Sequence, residues 1–430
     1  MPLAVFSENT RSAVSKTNST ANKLSFQDKQ FHDWYRFILS FPPHLVRHYI
    51  DRFGLHSGQI ILDPFCGTGT TLVESKIQGI DSIGIEANPM AHFASTVKVD
   101  WCVASDGLIN HACQVANYAE KIIRAERFGN LRTLSVEVNS LLLKNSISPL
   151  PLHKSLILLE AIRLHKDERY YNHELLAFAK VLVFSISNLH FGPEVGVRRL
   201  KKNDASVTED WMKDILSMAN DLRSTPAQRA SAEVHYADSR HLSAVLKPNS
   251  IDAVFTSPPY PNEKDYTRTT RLESVLLGFI NNKNDLRNLK QSLLCSNTRN
   301  VYKGDTDDDW IASHQEIQSI ADAIEKRRIQ LNKTSGFEKL YGRVTKLYFG
   351  GMARHLAELR SFLKPGAFLG YVVGEQASYL QIMIKTGEIL ADIAQSLGYK
   401  VVGIVLFCTR FATATKKQMR EEVVILQWLG

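Results

Sequence analysis

Two short stretches hold residue types whose spacing suits chemistry. In Thr256-Ser257-Pro258-Pro259-Tyr260 an apolar run, Ile251 to Phe255, is ended by hydroxyls, two prolines and an aromatic ring. The prolines fix φ at about −65° and remove two backbone donors, so the segment can continue neither as a central strand nor as an ordinary helix turn. It is a stiff loop at a strand's carboxyl end, where open α/β sheets place their ligands. Such a loop holds the Ser257 hydroxyl, the Pro258 carbonyl and the Tyr260 ring in one arrangement, a clamp for a flat, polar group. On its own, a Pro-rich turn that merely closes a strand has the same form.

The second stretch is "DPFCGTGTT", residues 63–71, between an apolar run and a helical pattern. Gly67 and Gly69 let a ligand approach the backbone at a helix amino terminus. Glu86 ends the next strand, 19 positions beyond Gly67, where a carboxylate accepts hydrogen bonds from ribose hydroxyls. Leu72 stands where the third glycine of a dinucleotide fingerprint belongs, and the loop has no lysine for a Walker site. A nucleoside therefore suits the site better than a pyrophosphate. In "YADSR", Asp238 ends another strand beside the same pocket, placed to accept from an adenine amino group, although Asp-Ser is also common turn chemistry.

The elements that position these residues follow from periodicity. Leu45, Tyr49 and Phe53 recur at helical spacing, which predicts a helix over 43–53 that ends at Gly54. Strand, Gly-containing loop, helix and strand follow as a βαβ unit. Residues 101–225 read as long helices with no obvious strand, α/β texture then resumes, and 281–340 is charged and irregular. The end of the chain reads as a hairpin. The fold class is α/β, one sheet domain split by a helical insertion.

Composition sets wider bounds. The chain has 430 residues, 44% hydrophobic and 22% charged, with a net charge of +8 and a pI near 9.1. That is a globular protein whose charge permits an anionic partner. Five scattered cysteines give neither a disulfide framework nor a zinc site, and no metal is expected. The first residues lack an apolar signal core, and no run of about 18 apolar residues occurs, so a cytoplasmic protein without membrane spans is expected.

"DPFCGTGTT", "GIEANP", "YADSR" and "TSPPY", in this order, resemble the S-adenosylmethionine-dependent DNA methyltransferases that modify exocyclic amino groups. The "SPPY" form is most similar to their cytosine-N4 members. "FPPHLV" resembles the family's cofactor-methionine motif, and "LKPGAFLGYVVG" a later strand of its sheet. The resemblance covers roughly 31–100 and 230–430. It implies a Rossmann-like seven-stranded methyltransferase sheet with a C-terminal antiparallel hairpin, plus the large helical insertion. The polar, Ser-, Thr-, Asn- and Lys-rich start of the chain predicts a flexible tail over 1–30, and the catalytic domain then spans 31–100 and 230–430, with an insertion over 101–229 and a variable insertion over 281–340.

The implied cofactor is S-adenosyl-L-methionine. Asp63, Phe65, Gly67 and Gly69 then surround its methionine moiety, Glu86 binds the ribose, Asp238 contacts the adenine, and Phe41, Thr70 and Asn88 complete the cofactor residues. The implied partner is double-stranded DNA, with a cognate restriction endonuclease acting separately. A base amine inside a duplex is inaccessible, so the target is flipped out. Tyr260 stacks on it while Ser257 and the carbonyl of Pro258, held by Pro259, accept the amine protons and free the nitrogen lone pair for in-line attack. Methylation of carbon 5 would want a Pro-Cys nucleophile, which this loop lacks.

About 190 residues separate Gly67 from Ser257, and the excess is the helical insertion. It ends in "NLHFGPEVGVRRLKK", where Arg198, Arg199, Lys201 and Lys202 suit phosphate contacts or a solvated charged face. Arg268, directly after the catalytic loop, suits the substrate backbone, or a pair with Glu263 or Glu273. The nearest alternative reading is adenine-N6 methylation of DNA. An RNA base methyltransferase would usually open the loop with Asp or Asn, and a nicotinamide-dependent dehydrogenase is disfavoured by Leu72 and the TSPPY loop.

Overall fold

The computed structural model describes residues 24–430 apart from 26, 37–39, 127–128, 193, 226–229, 263 and 413–415. Seven strands form its main sheet: β1 (Ile60–Asp63), β2 (Asp81–Glu86), β3 (Ala232–Tyr236), β4 (Ile251–Thr256), β5 (Leu363–Gly374), β6 (Lys400–Ala412) and β7 (Lys417–Gln427). Their spatial order is β3-β2-β1-β4-β5-β7-β6. Neighbours from β3 to β5 run parallel, and β7 runs antiparallel to both β5 and β6. This is the expected Rossmann-like sheet with a C-terminal antiparallel hairpin. The chain winds outward from β1 to β3 and then returns to place β4 on the other side of β1. The carboxyl ends of β1 and β4 therefore flank a topological switch point, where a crevice opens.

Helices cover both faces. Helix α1 (Pro43–Phe53) starts with proline in its first turn and ends at Gly54, whose φ of 66° stops it. Its apolar stripe carries Tyr49 onto Phe255 of β4, with ring centroids 4.9 Å apart. Helices α2 (Thr70–Ile77) and α3 (Pro89–Lys98) follow β1 and β2.

Four long helices then come from the inserted region: α4 (Ser105–Ala125), α5 (Pro149–Leu164), α6 (Tyr171–Val181) and α7 (Val207–Ser224). Their buried side chains, among them Leu108, Phe178 and Trp211, join Leu72 and Met90 of α2 and α3 in one continuous apolar core. Between α6 and α7 lies a short antiparallel ribbon, Leu189–Phe191 paired with Val195–Val197. No strand signal is legible there, because three residues are too few to display alternation.

The segment around 28–36 straps the insertion to the sheet domain. The Trp34 indole donates to Asp221 Oδ2 of α7 at 2.8 Å, His32 Nε2 meets Glu74 Oε1 of α2 at 2.7 Å, and the Tyr35 hydroxyl donates to Glu273. Phe31 stacks on Trp101 at 4.2 Å. Of the expected flexible tail, 1–23 and 26 lie outside the described residues. The expectation fails at its end: Asp28 pairs with Arg47 at 2.7 Å, and the Gln30 amide donates to Thr225 Oγ1 at 2.9 Å. The polar composition that suggests disorder here serves fixed partners instead.

Helix α8 (Lys283–Ser292) packs Leu289 with Leu141, Val275 and Ile280, whereas α9 (Gln315–Gln330), α10 (Tyr341–Leu359) and α11 (Thr386–Ser396) share a second core with the sheet. The irregular 281–340 region is seated against α10. Asp307 accepts from Arg240 at 2.6 Å and from Arg354 at 3.2 Å, and its backbone passes so close to Gly350 that a Cβ there would collide with the Asp307 carbonyl. Replacing a helical glycine by alanine ordinarily stabilises by up to about 1 kcal/mol. Here Gly350→Ala is expected to destabilise by about 2 kcal/mol through overpacking, read as a lower denaturant midpoint. A midpoint unchanged or raised would show that the 281–340 backbone is not held against α10.

Candidate active site

A cleft of about 490 Å³ opens at the carboxyl ends of the parallel strands. Of the residues expected to bind cofactor, Phe41, Phe65, Gly67, Thr70, Glu86, Asn88 and Asp238 line it, as do Ser257, Pro258, Pro259 and Tyr260 of the catalytic loop. Asp63 and Gly69 are buried and stand behind the wall.

The loop after β1 is shaped by its glycines and by buried polar groups. Gly67 and Gly69 have φ of 52° and 82°, and a Cβ on Gly69 would lie 3.0 Å from that of Ser95. Lys98 of α3 is buried and donates its ammonium to the Thr68 carbonyl at 2.7 Å. Burial pulls its pKa down to about 7. The Glu86 carboxylate accepts from the backbone N–H of Gly67 at 2.9 Å and of Asn88 at 2.7 Å, and burial pushes it up to about 7. Glu86 thus ties the first and second strand-end loops together while facing the cleft. The Asn88 side chain caps α3, accepting from Met90 N at 3.0 Å.

Asp63 accepts from Thr256 Oγ1 at 2.6 Å and from Phe65 N at 3.2 Å. Its second oxygen is buried with no hydrogen-bond partner among the described residues, and burial raises its pKa to about 6. Phe65 rests edge-on against His355, 5.0 Å between centroids. His355 Nδ1 meets the Ser239 carbonyl at 2.8 Å, so Nδ1 carries the proton and Nε2 accepts from the Tyr371 hydroxyl at 2.8 Å. Burial lowers its pKa to about 4, so the ring is neutral. Asp238 lies in a fork from Arg240 at 3.0 and 2.6 Å, and Arg240 passes the connection on to Asp307.

In the catalytic loop the Ser257 hydroxyl donates to the Val372 carbonyl at 3.1 Å, which leaves its oxygen lone pairs as acceptors. The Tyr260 ring packs over Gly374, where a Cβ would lie 3.1 Å from the ring edge. Burial raises the Tyr260 phenol pKa, and its hydroxyl meets that of Ser257. Tyr266 backs the loop through the Tyr260 main chain and is pushed up to about 12 by burial.

The wall also contains residues that the motifs did not reveal: Glu194, Lys264, Arg410 and Glu421. Only Lys264 stood near enough to Tyr260 in the chain to have been found. Glu194 comes from the ribbon, and Arg410 and Glu421 come from the hairpin more than a hundred residues on.

The basic cluster sits outside the cleft. Arg198 and Arg199 are exposed where the ribbon ends. Lys201 and Lys202 donate their ammonium groups to the carbonyls of Arg198 and Ser185. Of the carboxylates expected for Arg268, Glu263 lies outside the described residues and Glu273 accepts from Tyr35; Arg268 lies 3.8 Å from Glu194. Among the described residues no group of three His, Cys, Asp or Glu could hold a metal ion, and no helix is long and apolar enough to cross a membrane.

This strand order, with a glycine loop after β1 and carboxylates ending β2 and beyond β3, is that of a Rossmann-like methyltransferase. A model of the N6/N4 methylase family, described as DNA methylase, matches residues 7–95. The chain is 28% identical over 435 residues to the Type II methyltransferase M.BsoBI of Geobacillus stearothermophilus, covering 91% of this chain and 84% of that one. With the Type II methyltransferase M.AvaI of a Nostoc species it shares 27% identity over 427 residues, 90% of this chain and 83% of the relative. A solved SAM-dependent methyltransferase from Methanosarcina mazei aligns with 89% of this chain and 97% of its own, at 10% identity and a TM-score of 0.30. The chain is similar to the N4/N6 S-adenosylmethionine-dependent DNA amino-methyltransferases, and the cofactor this similarity supports is S-adenosylmethionine.

The raised pKa of Glu86 has a sign that can be tested. The folded protein favours the protonated carboxyl up to about pH 7, whereas the unfolded chain ionises near its ordinary 4.5. The group therefore withdraws stability as the pH rises through that window. Glu86→Gln cannot ionise, so its thermal midpoint, relative to the wild type and without cofactor, is expected to move in the variant's favour between about pH 5 and about pH 8. A difference that stays constant with pH would show that Glu86 ionises freely.

Proposed function

We propose that the protein is a site-specific DNA methyltransferase that methylates the exocyclic N4 amine of a cytosine flipped out of the duplex. The observation that carries this reading is the Ser257 hydroxyl at the cleft wall: its proton is engaged by Val372 and one lone pair meets the Tyr260 hydroxyl, which leaves the second lone pair as an acceptor for an amino group. The match to the N6/N4 methylase model and the similarity to two Type II methyltransferases along most of the chain support DNA as the substrate. The SPPY form, which resembles the cytosine-N4 members, favours cytosine over adenine.

In this reading Glu86 receives the ribose hydroxyls and Asp238 the adenine amine. Phe41, Phe65, Gly67, Thr70 and Asn88 enclose the rest of the nucleoside and the methionine, with Asp63 and Gly69 shaping the loop from behind. Bound S-adenosylmethionine supplies an electrophilic sulfonium methyl. Tyr260 stacks on the flipped ring, and Pro259 keeps the Tyr260 and Pro258 backbone rigid. The Ser257 oxygen and the Pro258 carbonyl accept the two amine protons, which draws the nitrogen toward tetrahedral geometry and directs its lone pair at the methyl. The extra proton on nitrogen leaves to solvent after transfer. Arg198, Arg199 and Arg268, beside the ribbon, contact phosphates; Lys201 and Lys202 brace that basic turn, and the 101–229 insertion reads the target. Five free thiols suit a reducing cytoplasm, and a separate endonuclease cutting the same site is the natural partner.

Nucleoside mass spectrometry of unmethylated DNA incubated with protein and S-adenosylmethionine is expected to show N4-methylcytosine. N6-methyladenine would keep the mechanism and change the base, and methylation confined to RNA would overturn the reading. Tyr260→Ala should leave cofactor affinity within about 2-fold and lower kcat/KM on the order of 100-fold, the scale of a lost stacking platform. Glu86→Ala should instead weaken cofactor binding.

A further inference from the structure

The catalytic end of the cleft is closed by ionic side chains from separate parts of the chain: Glu194 at the ribbon tip, Lys264 after the catalytic loop, Arg410 on β6 and Glu421 on β7. Three of them are occupied. Arg410 Nε lies 3.3 Å from Glu421 Oε1, and its Nη2 donates to the Glu375 carbonyl at 2.8 Å. Glu421 also receives the Cys408 thiol at 3.4 Å, and Glu194 lies 3.8 Å from Arg268. The Lys264 ammonium has no hydrogen-bond partner among the described residues. Its main chain, by contrast, is fixed on both sides. The N–H donates to Asn262 Oδ1 at 3.0 Å, and the carbonyl accepts from the buried Asn297 amide at 3.2 Å. Lys264 lines the same cleft as Tyr260, four positions away in the chain, and its ammonium lies within electrostatic reach of Arg410, Glu421 and Glu194 without a hydrogen bond to any of them.

A half-buried ammonium without a partner is costly unless a ligand supplies acceptors. The amine acceptors of this site, the Ser257 oxygen and the Pro258 carbonyl, leave the rest of the target's hydrogen-bonding edge unread. We infer that Lys264 donates to N3 and O2 of the flipped cytosine and is the residue that makes the site select cytosine. This rests on the function proposed above. Cytosine carries two adjacent acceptors, N3 and O2, beside its amine. Adenine carries one, N1, followed by a C–H, and guanine presents an N–H donor there, which an ammonium repels. Donation to the ring draws electron density from the amine, so the contact contributes to binding and orientation and not to nucleophilicity. Lys264 is a specificity-determining residue.

The test uses the full-length protein, S-adenosylmethionine and a duplex carrying the mapped methylation site, with either cytosine or 3-deazacytosine at the target. For the wild type, replacing N3 by C–H is expected to raise KM on the order of 10-fold, the scale of a lost charged hydrogen bond. Lys264→Met should raise KM for the cytosine duplex by a similar factor with kcat little changed, cofactor affinity unaltered, the thermal midpoint not lowered, and little further loss on 3-deazacytosine. Lys264→Arg should recover part of the difference. Equal 3-deaza penalties in wild type and Lys264→Met would overturn the assignment while leaving N4 methylation standing. A wild type that makes no N4-methylcytosine in any DNA would remove both readings together.

Discussion

The hydrogen bond from Thr256 to Asp63, 2.6 Å long and wholly buried, is the constraint on which the rest of the site depends. It joins the last residues of two adjacent strands, β1 and β4, each of which then leaves the sheet to build a different half of the cleft. The cofactor loop begins at Asp63 and the catalytic loop begins one residue after Thr256. The two halves of the cleft are therefore rooted one strand spacing apart, about 4.8 Å. The cost is a carboxyl whose second oxygen has no described partner and whose pKa is raised to about 6.

Around that bond, polar groups are used to fix backbone and not to react. Lys98 holds the Thr68 carbonyl, Glu86 holds two backbone N–H groups, and His355 bridges the Asp238 loop to β5. Each is buried and shifted toward its neutral form by burial, which keeps the region free of unpaired charge. Opposite them, the reversed strand β7 and its partner β6 bring Glu421 and Arg410 to the catalytic loop. A parallel strand at that edge would have presented its other end to the cleft.

Local signals carried much of the fold. Helix α1 ends at Gly54, the first βαβ unit follows its glycines, and the hairpin follows its apolar runs, because each is specified by residues within a few positions of one another. The motif residues also converge on one cleft, except Asp63 and Gly69, which shape it from behind. What could not be read was set by distant partners. Nothing near Arg240 announces Asp307, nothing near Gly350 announces a backbone crossing over it, and a three-residue strand leaves no alternation to find. The two lysines of the basic cluster were legible as charges, but their use on backbone carbonyls depends on the ribbon's tertiary course.

The strap at 28–36 reaches α2, α7 and the helix that carries Glu273, and the insertion helices share one apolar core with α2 and α3. Modular enzymes exchange specificity by trading an excisable recognition unit while the catalytic frame stays intact. This architecture closes that route: removing 101–229 would expose the face of α2 and α3 and leave Trp34 and Phe31 without their packing partners. The insertion is structurally part of the same body as the sheet, so its sequence can vary only by point substitutions that leave that shared core filled.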